Sequence, residues 1–201
     1  MSDVPNASRQ VQDLSAFALP QGFRGRSGFV VQLWWIVQAL LVHPTPQVMY
    51  GWRRFVLRLF GARVGSQVLL RSSVRITYPW KVAIGDRAWI GDNVELYSLG
   101  EIRIGHDSVI SQGSYLCTAS HDYRDTKFAI FTRSIVVDPE VWIATQCFIG
   151  PGVTIGRGAV VGARSLVLTE VLPYSVVVGH PSRVIGDRIR SKQASRNAPH
   201  S

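Results

Sequence analysis

Between Val137 and Leu172 the chain reads VDPEVW IATQCF IGPGVT IGRGAV VGARSL VLTEVL, and every block of six opens with Ile or Val. The fifth residue of each block is small or β-branched: Val141, Cys147, Val153, Ala159, Ser165 and Val171. An α-helix, with about 3.6 residues per turn, would scatter positions six apart around its circumference. A single extended strand would require a period of two, which is absent. A chain that turns a corner after each short strand satisfies both positions, with one aliphatic anchor and one small residue pointing inward per side. The spacing predicts an all-β fold, a parallel β-helix solenoid.

The same phase runs upstream. Anchors fall at Val64, Leu70 and Ile76, at Ile84, Ile90 and Leu96, and at Ile104, Ile110 and Leu116. The rhythm slips after Ile76, after Leu96 and after Leu116, where the gaps to the next anchor are 8, 8 and 21 residues instead of 6. If three blocks make one triangular coil, all three slips leave the prism at one edge. The solenoid is expected over 63–186 with about five coils, carrying a loop over 122–136. Loops gathered on one edge of a rigid scaffold are where function is expected. Phe128, Ile130 and Phe131 in the long loop need a cover, and a neighbouring subunit is the natural candidate.

Ahead of the solenoid, residues 1–27 are polar and hold Pro5, Pro20, Gly22 and Gly25, which reads as an extended or mobile arm. Phe29 to Val42 is apolar but only 14 residues long and contains Gln32 and Gln38. A membrane span needs about 20 apolar residues, so a buried or interfacial helix is expected, stopped by Pro44 and Pro46. Gln47 to Phe60 forms a basic amphipathic pattern with Arg53, Arg54 and Arg58 off its apolar face. Residues 28–62 are therefore expected to cap the open end of the solenoid. Their Trp and Arg content also suits peripheral contact with an anionic membrane surface.

Charge supports this division. Of the net +9, nine basic residues and no acidic one lie between Asp13 and Asp86, while the rest of the chain is balanced. The basic residues are interleaved with bulky aliphatics and match no nucleic-acid reader motif, which argues against nucleic acid as a partner. Two distant cysteines, Cys117 and Cys147, make neither a disulfide framework nor a zinc site, and a reducing cytoplasm fits. Residues 187–201 are polar and basic, and read as a short C-terminal helix or tail.

The repeats, SHD at 120–122 and the closing GARSLVLTEVLPYSVVVGHPSRVI resemble the hexapeptide-repeat acyltransferases with a left-handed parallel β-helix. LWWIVQALL, WRRFVLRLFGA, YPWKVAIGD and YLCTASHD resemble the colanic-acid-biosynthesis-type branch, related to galactoside and maltose O-acetyltransferases. The resemblance covers roughly residues 28–188. It implies a homotrimer with sites between subunits, acetyl-CoA as acyl donor and no metal. The acceptor it implies is a sugar hydroxyl in exopolysaccharide or cell-surface glycan assembly, and a lipid-linked acceptor would suit the Trp-rich N-terminal region.

The resemblance implies that His121 is the catalytic residue, and its place before the long loop suits the task. An alcohol attacking a thioester needs a base to remove its proton, and imidazole titrates near neutrality. The resemblance assigns donor contacts to Thr145, Gly162, Ala163, Thr169 and Arg183. Two residues depart from it: Ala144 stands where the family has Gly, and Glu170 where a Lys often follows Thr169, so Arg164, Arg183 or Arg188 could compensate at the CoA phosphates.

Block counting puts Lys81, Glu101 and His121 in one slot of successive coils, so Glu101 could orient His121 or bind an acceptor hydroxyl. Tyr97 and Ser98 on the same edge are candidate sugar contacts. Cys147, at an inward position, reads as core rather than nucleophile, and direct transfer needs neither thiol. The same fold also serves amino-sugar N-acetyltransferases, antibiotic O-acetyltransferases and a non-catalytic membrane- or partner-binding scaffold. A zinc carbonic anhydrase of this fold would need three histidines, and only His121 lies at the loop edge.

Overall fold

A computed structural model describes residues 10–189; the first nine residues of the expected arm and residues 190–201 of the expected C-terminal tail lie outside the described residues. The six-residue blocks fold into three parallel sheets that form the sides of a prism. The first side contains Arg63–Val64, Val82–Ile84, Ile102–Ile104, Ile135–Val137 and Thr154–Ile155. The second contains Leu69–Leu70, Trp89–Ile90, Val109–Ile110, Trp142–Ile143, Val160–Val161 and Ser175–Val178. The third contains Arg75–Ile76, Glu95–Tyr97, Tyr115–Cys117, Phe148–Ile149 and Leu166–Val167. Five circuits are complete, and the bridge from Ile155 to Val171 opens a sixth.

The sequence period has a direct physical cause here. All fifteen anchors point inward, and none is more than 7% exposed. At most corners the third residue after the anchor takes a left-handed conformation, as Arg87 (φ 57°), Asp107 (φ 57°) and Glu140 (φ 65°) do. That turns the chain and tucks the small fifth residue under the next strand. Coils stack about 4.8 Å apart, which leaves little room at the corner. A Cβ built on Gly105 would stand 2.4 Å from the Pro139 nitrogen of the next coil, so only glycine fits there.

All three slips fall at the corner between the third and first sides. Hydroxyls carry the backbone pairing across them. Ser98 Oγ accepts from the Tyr78 N–H at 2.8 Å and donates to the Tyr78 carbonyl at 3.0 Å. Thr118 Oγ1 donates to the Tyr97 carbonyl at 2.6 Å and accepts from the Gly100 N–H at 2.8 Å. At the largest slip the chain leaves as an antiparallel hairpin, Ala119–His121 paired with Ile130–Thr132; the loop expected over 122–136 falls largely within it, but Ile135 and Val136 already belong to the first side. Ser120, a small fifth residue by sequence, is exposed because the chain has already left the prism there.

The C-terminal end also closes with strands. Arg183–Asp187 folds back antiparallel on Ser175–Val178, and the Arg188 N–H bonds the Tyr174 carbonyl at 2.8 Å. Residues 187–189, the start of the expected short helix or tail, belong to a hairpin and the turn after it; the hairpin gives the last coil's free edge a partner strand.

The N-terminal end is closed by helices. Helix α1 (Gly28–Val37) starts at Ser27, whose Oγ accepts the Val30 N–H at 3.4 Å, and continues as a wider turn over Gln38–Val42. Helix α2 (Tyr50–Leu59) follows the Pro44 and Pro46 break. The three anchors of the first coil direct their carbonyls away from the second coil, and one side chain meets each. Arg58 Nε donates to Val64 O at 2.8 Å, Arg53 Nε to Leu70 O at 2.7 Å and Trp34 Nε1 to Ile76 O at 2.8 Å. Gln38 Oε1 accepts the Ile76 N–H at 2.8 Å, so the polar residue inside an apolar helix completes the same cap.

Arg53 is fully buried and makes three further bonds, to Thr45 Oγ1, Pro46 O and Gln47 O at 2.7–2.9 Å. Replacing Arg53 with Met strands several buried acceptors, each costing about 1–3 kcal/mol. Urea unfolding of Arg53→Met is expected to show a loss of about 3 kcal/mol or more, and Lys, which lacks the planar fork, is expected to restore little of it.

Candidate active site

His121 ends the outgoing strand of the hairpin, opposite Ile130. Its Nδ1 lies 2.8 Å from the Phe128 carbonyl oxygen, and its ring stacks on the Phe128 ring with centroids 4.1 Å apart and planes 8° apart. A carbonyl can only accept, so Nδ1 carries the hydrogen and Nε2 of the neutral ring keeps its lone pair. Phe128 holds a left-handed conformation (φ 51°), fixed by its own N–H to the Asp125 carbonyl at 2.8 Å. The hairpin tip is ordered by two aspartates: Asp122 Oδ1 accepts from the Arg124 N–H and Asp125 Oδ1 from the Lys127 N–H, both at 2.9 Å.

The N-terminal arm reaches the same place. Its described part carries a short turn at Leu14–Ala16 and bonds the hairpin through Asp13 N–H to Thr126 O at 2.7 Å. Phe17 stands on His121 with ring centroids 5.9 Å apart. Farther along, Lys81 Nζ donates to the Phe23 carbonyl at 2.6 Å and to the Leu99 carbonyl, and Trp80 Nε1 donates to the Arg24 carbonyl at 2.7 Å. Burial lowers the Lys81 pKa, with Glu101 opposing the shift. Residues 10–27, expected as an extended or mobile arm, are held along the loop-bearing edge. Their aromatic side chains and bare carbonyls find partners at the slips of the coil.

The acceptor-side candidates divide. Tyr97 is half-buried with its ring stacked on Tyr115 at 5.9 Å, and burial raises its phenol pKa. Ser98 is a correction: it is fully buried with both hydroxyl roles taken by Tyr78, so it is not presented to an acceptor. Glu101 is exposed and pairs with Arg103 Nη2, and the Phe128 carbonyl holds His121 in the way proposed for Glu101. A backbone carbonyl carries no residue-type signal, which is why sequence reasoning missed it. Phe17 was missed for a different reason, since nothing in the arm's composition says where it lies.

On the donor side, Thr145 and Ala163 occupy the same corner of successive coils, joined by the Arg164 N–H to Thr145 O at 2.9 Å. Gly162 opens that corner, and its N–H reaches Val177 O at 2.8 Å. Arg183, on the returning strand, pairs with Val178 beside it. Thr145, Gly162 and Ala163 lie between the second and third sides of the prism and Arg183 lies on the strand that extends the second side, whereas His121 and Thr169 lie between the third and first. One chain therefore holds His121 and the Thr145, Gly162 and Ala163 corner on different edges. Ala144 is buried with its N–H on Val161 O at 2.9 Å, so its methyl is accommodated at the corner; Glu170 is exposed.

Neither thiol is placed as a nucleophile. Cys147 is buried, its Sγ donates to Gly162 O at 3.1 Å, and burial raises its pKa. Cys117 Sγ donates to Ala119 O at 3.2 Å. His43 reaches the Val74 carbonyl at 3.3 Å as part of the helical cap, and His106 pairs with Asp107. Among the described residues no cluster of three His, Cys, Asp or Glu could hold a metal.

A hexapeptide-repeat acetyltransferase from Vibrio cholerae O1 biovar eltor, solved with acetyl coenzyme A, superposes with a TM-score of 0.74 at 25% identity over 81% of this chain and 91% of that one. A galactoside acetyltransferase solved with coenzyme A shares the fold at a TM-score of 0.75 and 24% identity, over 86% of each chain. No protein-family model matches the chain. In sequence it is 55% identical over 183 residues to WcaF of Escherichia coli strain K12, whose name assigns it to colanic acid biosynthesis as an acetyltransferase; the match spans 90% of this chain and 100% of that protein. The chain belongs to the WcaF acetyltransferase family. As a WcaF-type acetyltransferase it has the left-handed parallel β-helix of its structural neighbours.

Since no thiol is positioned for attack, a Cys117→Ser variant of this WcaF-type enzyme is expected to keep kcat within about twofold of wild type. A stopped assay of acetyl transfer from acetyl-CoA checks this, and accumulation of an acetylated enzyme in intact-mass spectra would contradict it.

Proposed function

We propose that the chain transfers an acetyl group from acetyl-CoA to a sugar hydroxyl in exopolysaccharide or cell-surface glycan assembly, in the cytoplasm and on a lipid-linked acceptor. The observation that carries this is the fixed tautomer of His121, set by Nδ1–H to the Phe128 carbonyl at 2.8 Å. The 55% identity to WcaF supports the exopolysaccharide assignment.

In the reaction, Nε2 of His121 removes the acceptor hydroxyl proton as the oxygen attacks the thioester carbonyl. Negative charge gathers on the carbonyl oxygen, and a backbone N–H of a coil is suited to stabilise it. The C–S bond then breaks, and the imidazolium returns its proton to the departing CoA thiolate, leaving ester and free thiol. Stacking on Phe128 and the hydrogen bond to its carbonyl keep the ring from rotating between these two proton transfers. Thr145, Gly162, Ala163, Thr169 and Arg183 are proposed to hold acetyl-CoA, with small residues admitting the pantetheine arm and Arg183 facing phosphate. Tyr97 and Glu101 remain candidate acceptor contacts at the edge.

The separation of His121 from the Thr145, Gly162, Ala163 and Arg183 group supports a homotrimer in which one copy's base meets a neighbour's donor groove. The hairpin's Phe131, still exposed in one chain, would then be covered by that neighbour.

Two experiments follow. Thiol release from acetyl-CoA, measured across nucleotide sugars, lipid-linked sugars and oligosaccharides, is expected to fall about 10²–10⁴-fold in kcat for His121→Ala, with donor KM little changed; full activity in that variant would overturn the mechanism. Mixing His121→Ala subunits with Ala163→Trp subunits, each inactive alone, is expected to restore activity, because some interfaces then pair a sound base with a sound groove. No recovery from mixed, folded trimers would place the base and groove on one subunit.

A further inference from the structure

The helical cap has a second face. On α1 and its continuation, the inner stripe Val31, Trp34 and Val42 is buried against the solenoid. Phe29, Leu33, Ile36 and Leu40 lie on the opposite side, at the four- and three-residue steps that align on a helix. Trp52, Phe55 and Leu59 repeat the spacing on α2, with Val48 in the turn just before it, while Arg53, Val56 and Leu57 face inward. All eight outer residues are 37–83% exposed. A helix apolar on both faces normally has both covered; here the solenoid covers one. Trp52 Nε1 donates to the Leu41 carbonyl at 2.7 Å, tying the two stripes into one surface.

We infer that this surface docks the enzyme flat on a bilayer containing anionic phospholipid. Charge selects that occupant. Between Asp13 and Asp86 there is no carboxylate, and Arg26, Arg63 and Arg75 are exposed around the cap and the first coil beneath it. A second copy meeting this face would bring cationic surfaces together, whereas anionic headgroups meet the arginines while acyl chains receive the apolar stripes. Exposed Trp35 and Trp52 suit the headgroup level, where an amphipathic ring is stable. Among the described residues no helix is long and apolar enough to cross a membrane, so the cap lies on the surface.

The inner faces of α1 and α2 bond all three sides of the first coil, so their outer faces point along the solenoid axis, away from the coils. Docking therefore stands the prism upright. His121 leaves the third coil, about 10 Å above the first at one coil spacing per step. The helix layer adds about 10 Å, which sets the imidazole about 20 Å from the lipid. A glycan growing outward from a lipid anchor presents its distal sugars, rather than the one at the headgroup, at that height. This orientation rests on the trimeric, lipid-linked reading above in one respect: parallel prisms around a threefold axis would present three caps to one plane, multiplying a weak contact.

Flotation of the full chain with phosphatidylcholine vesicles, with and without phosphatidylglycerol, tests the inference without any substrate. Wild type is expected to float with the anionic vesicles, to bind neutral ones at least about tenfold more weakly, and to detach as salt rises. Ile36→Glu with Phe55→Glu is expected to abolish flotation while circular dichroism and the melting curve stay unchanged; if that pair fails to fold, Leu40→Ser alone is expected to weaken binding several-fold. His121→Ala should float like wild type, so an error in the mechanism would leave this result intact. Equal binding to neutral vesicles, no flotation of folded wild type, or a larger oligomer in light scattering that the double variant dissolves would overturn the inference, the last by making the face a contact between copies.

Discussion

The first coil has no coil beneath it. The inner coils satisfy their backbone by pairing with coils on both sides, but in the first coil the anchors Val64, Leu70 and Ile76 turn their carbonyls toward nothing repetitive. A buried carbonyl without a donor is costly, and a bare row of such groups also invites another strand. Two guanidinium groups and one indole resolve both problems at once, because each is long enough to reach back from a helix and carries only donors. The cluster of arginines in the N-terminal third is therefore first a consequence of capping a solenoid. Its other consequences follow from where the cap is pinned.

Pinning the cap fixes what comes before it. Ser27 starts α1, so the segment from Asp13 to Arg26 must approach from the side of the prism, and it does so along the edge where the coil slips. Trp80 and Lys81 sit at the first slip and hold the arm's carbonyls; Phe17 then arrives at His121, which sits at the third. The imidazole is thus framed by a hairpin grown from the third coil and by an arm that precedes the first. Neither element repeats, whereas everything beneath them does.

That contrast explains how much could be read from the sequence. The inward positions were legible because each anchor serves the same function at a fixed interval, and all fifteen are buried. The slips were legible as breaks in that interval, and they share one edge as expected. The left-handed corner residues were not, since Arg87, Asp107 and Glu140 are ordinary surface residues by type and the strain is met by backbone geometry. Ser98 was misread because small hydroxyl residues serve equally as ligands and as backbone staples, and only burial separates the two. Arg53 was read as part of a polar helix face, when its burial makes it the hub of the cap. The partner of His121 is a main-chain oxygen, which no pattern of side chains could have announced.

A triangular prism of stacked coils has no hinge, so it cannot close around a substrate as a two-domain enzyme does. Any selectivity must come from what is attached to its edges and from how the edges of different copies meet. The hairpin presents a histidine already oriented by Phe128, and the corner at Thr145 and Ala163 presents a surface of small side chains on another edge. In the proposed homotrimer, bringing these two features together would require no conformational change within either chain, only association. In such an arrangement acceptor choice would fall to the non-repeating segments, the arm and the hairpin tip, while the repetitive core can be shared by enzymes with quite different acceptors. The scaffold that made the fold easy to read is, for the same reason, the part that says least about the sugar.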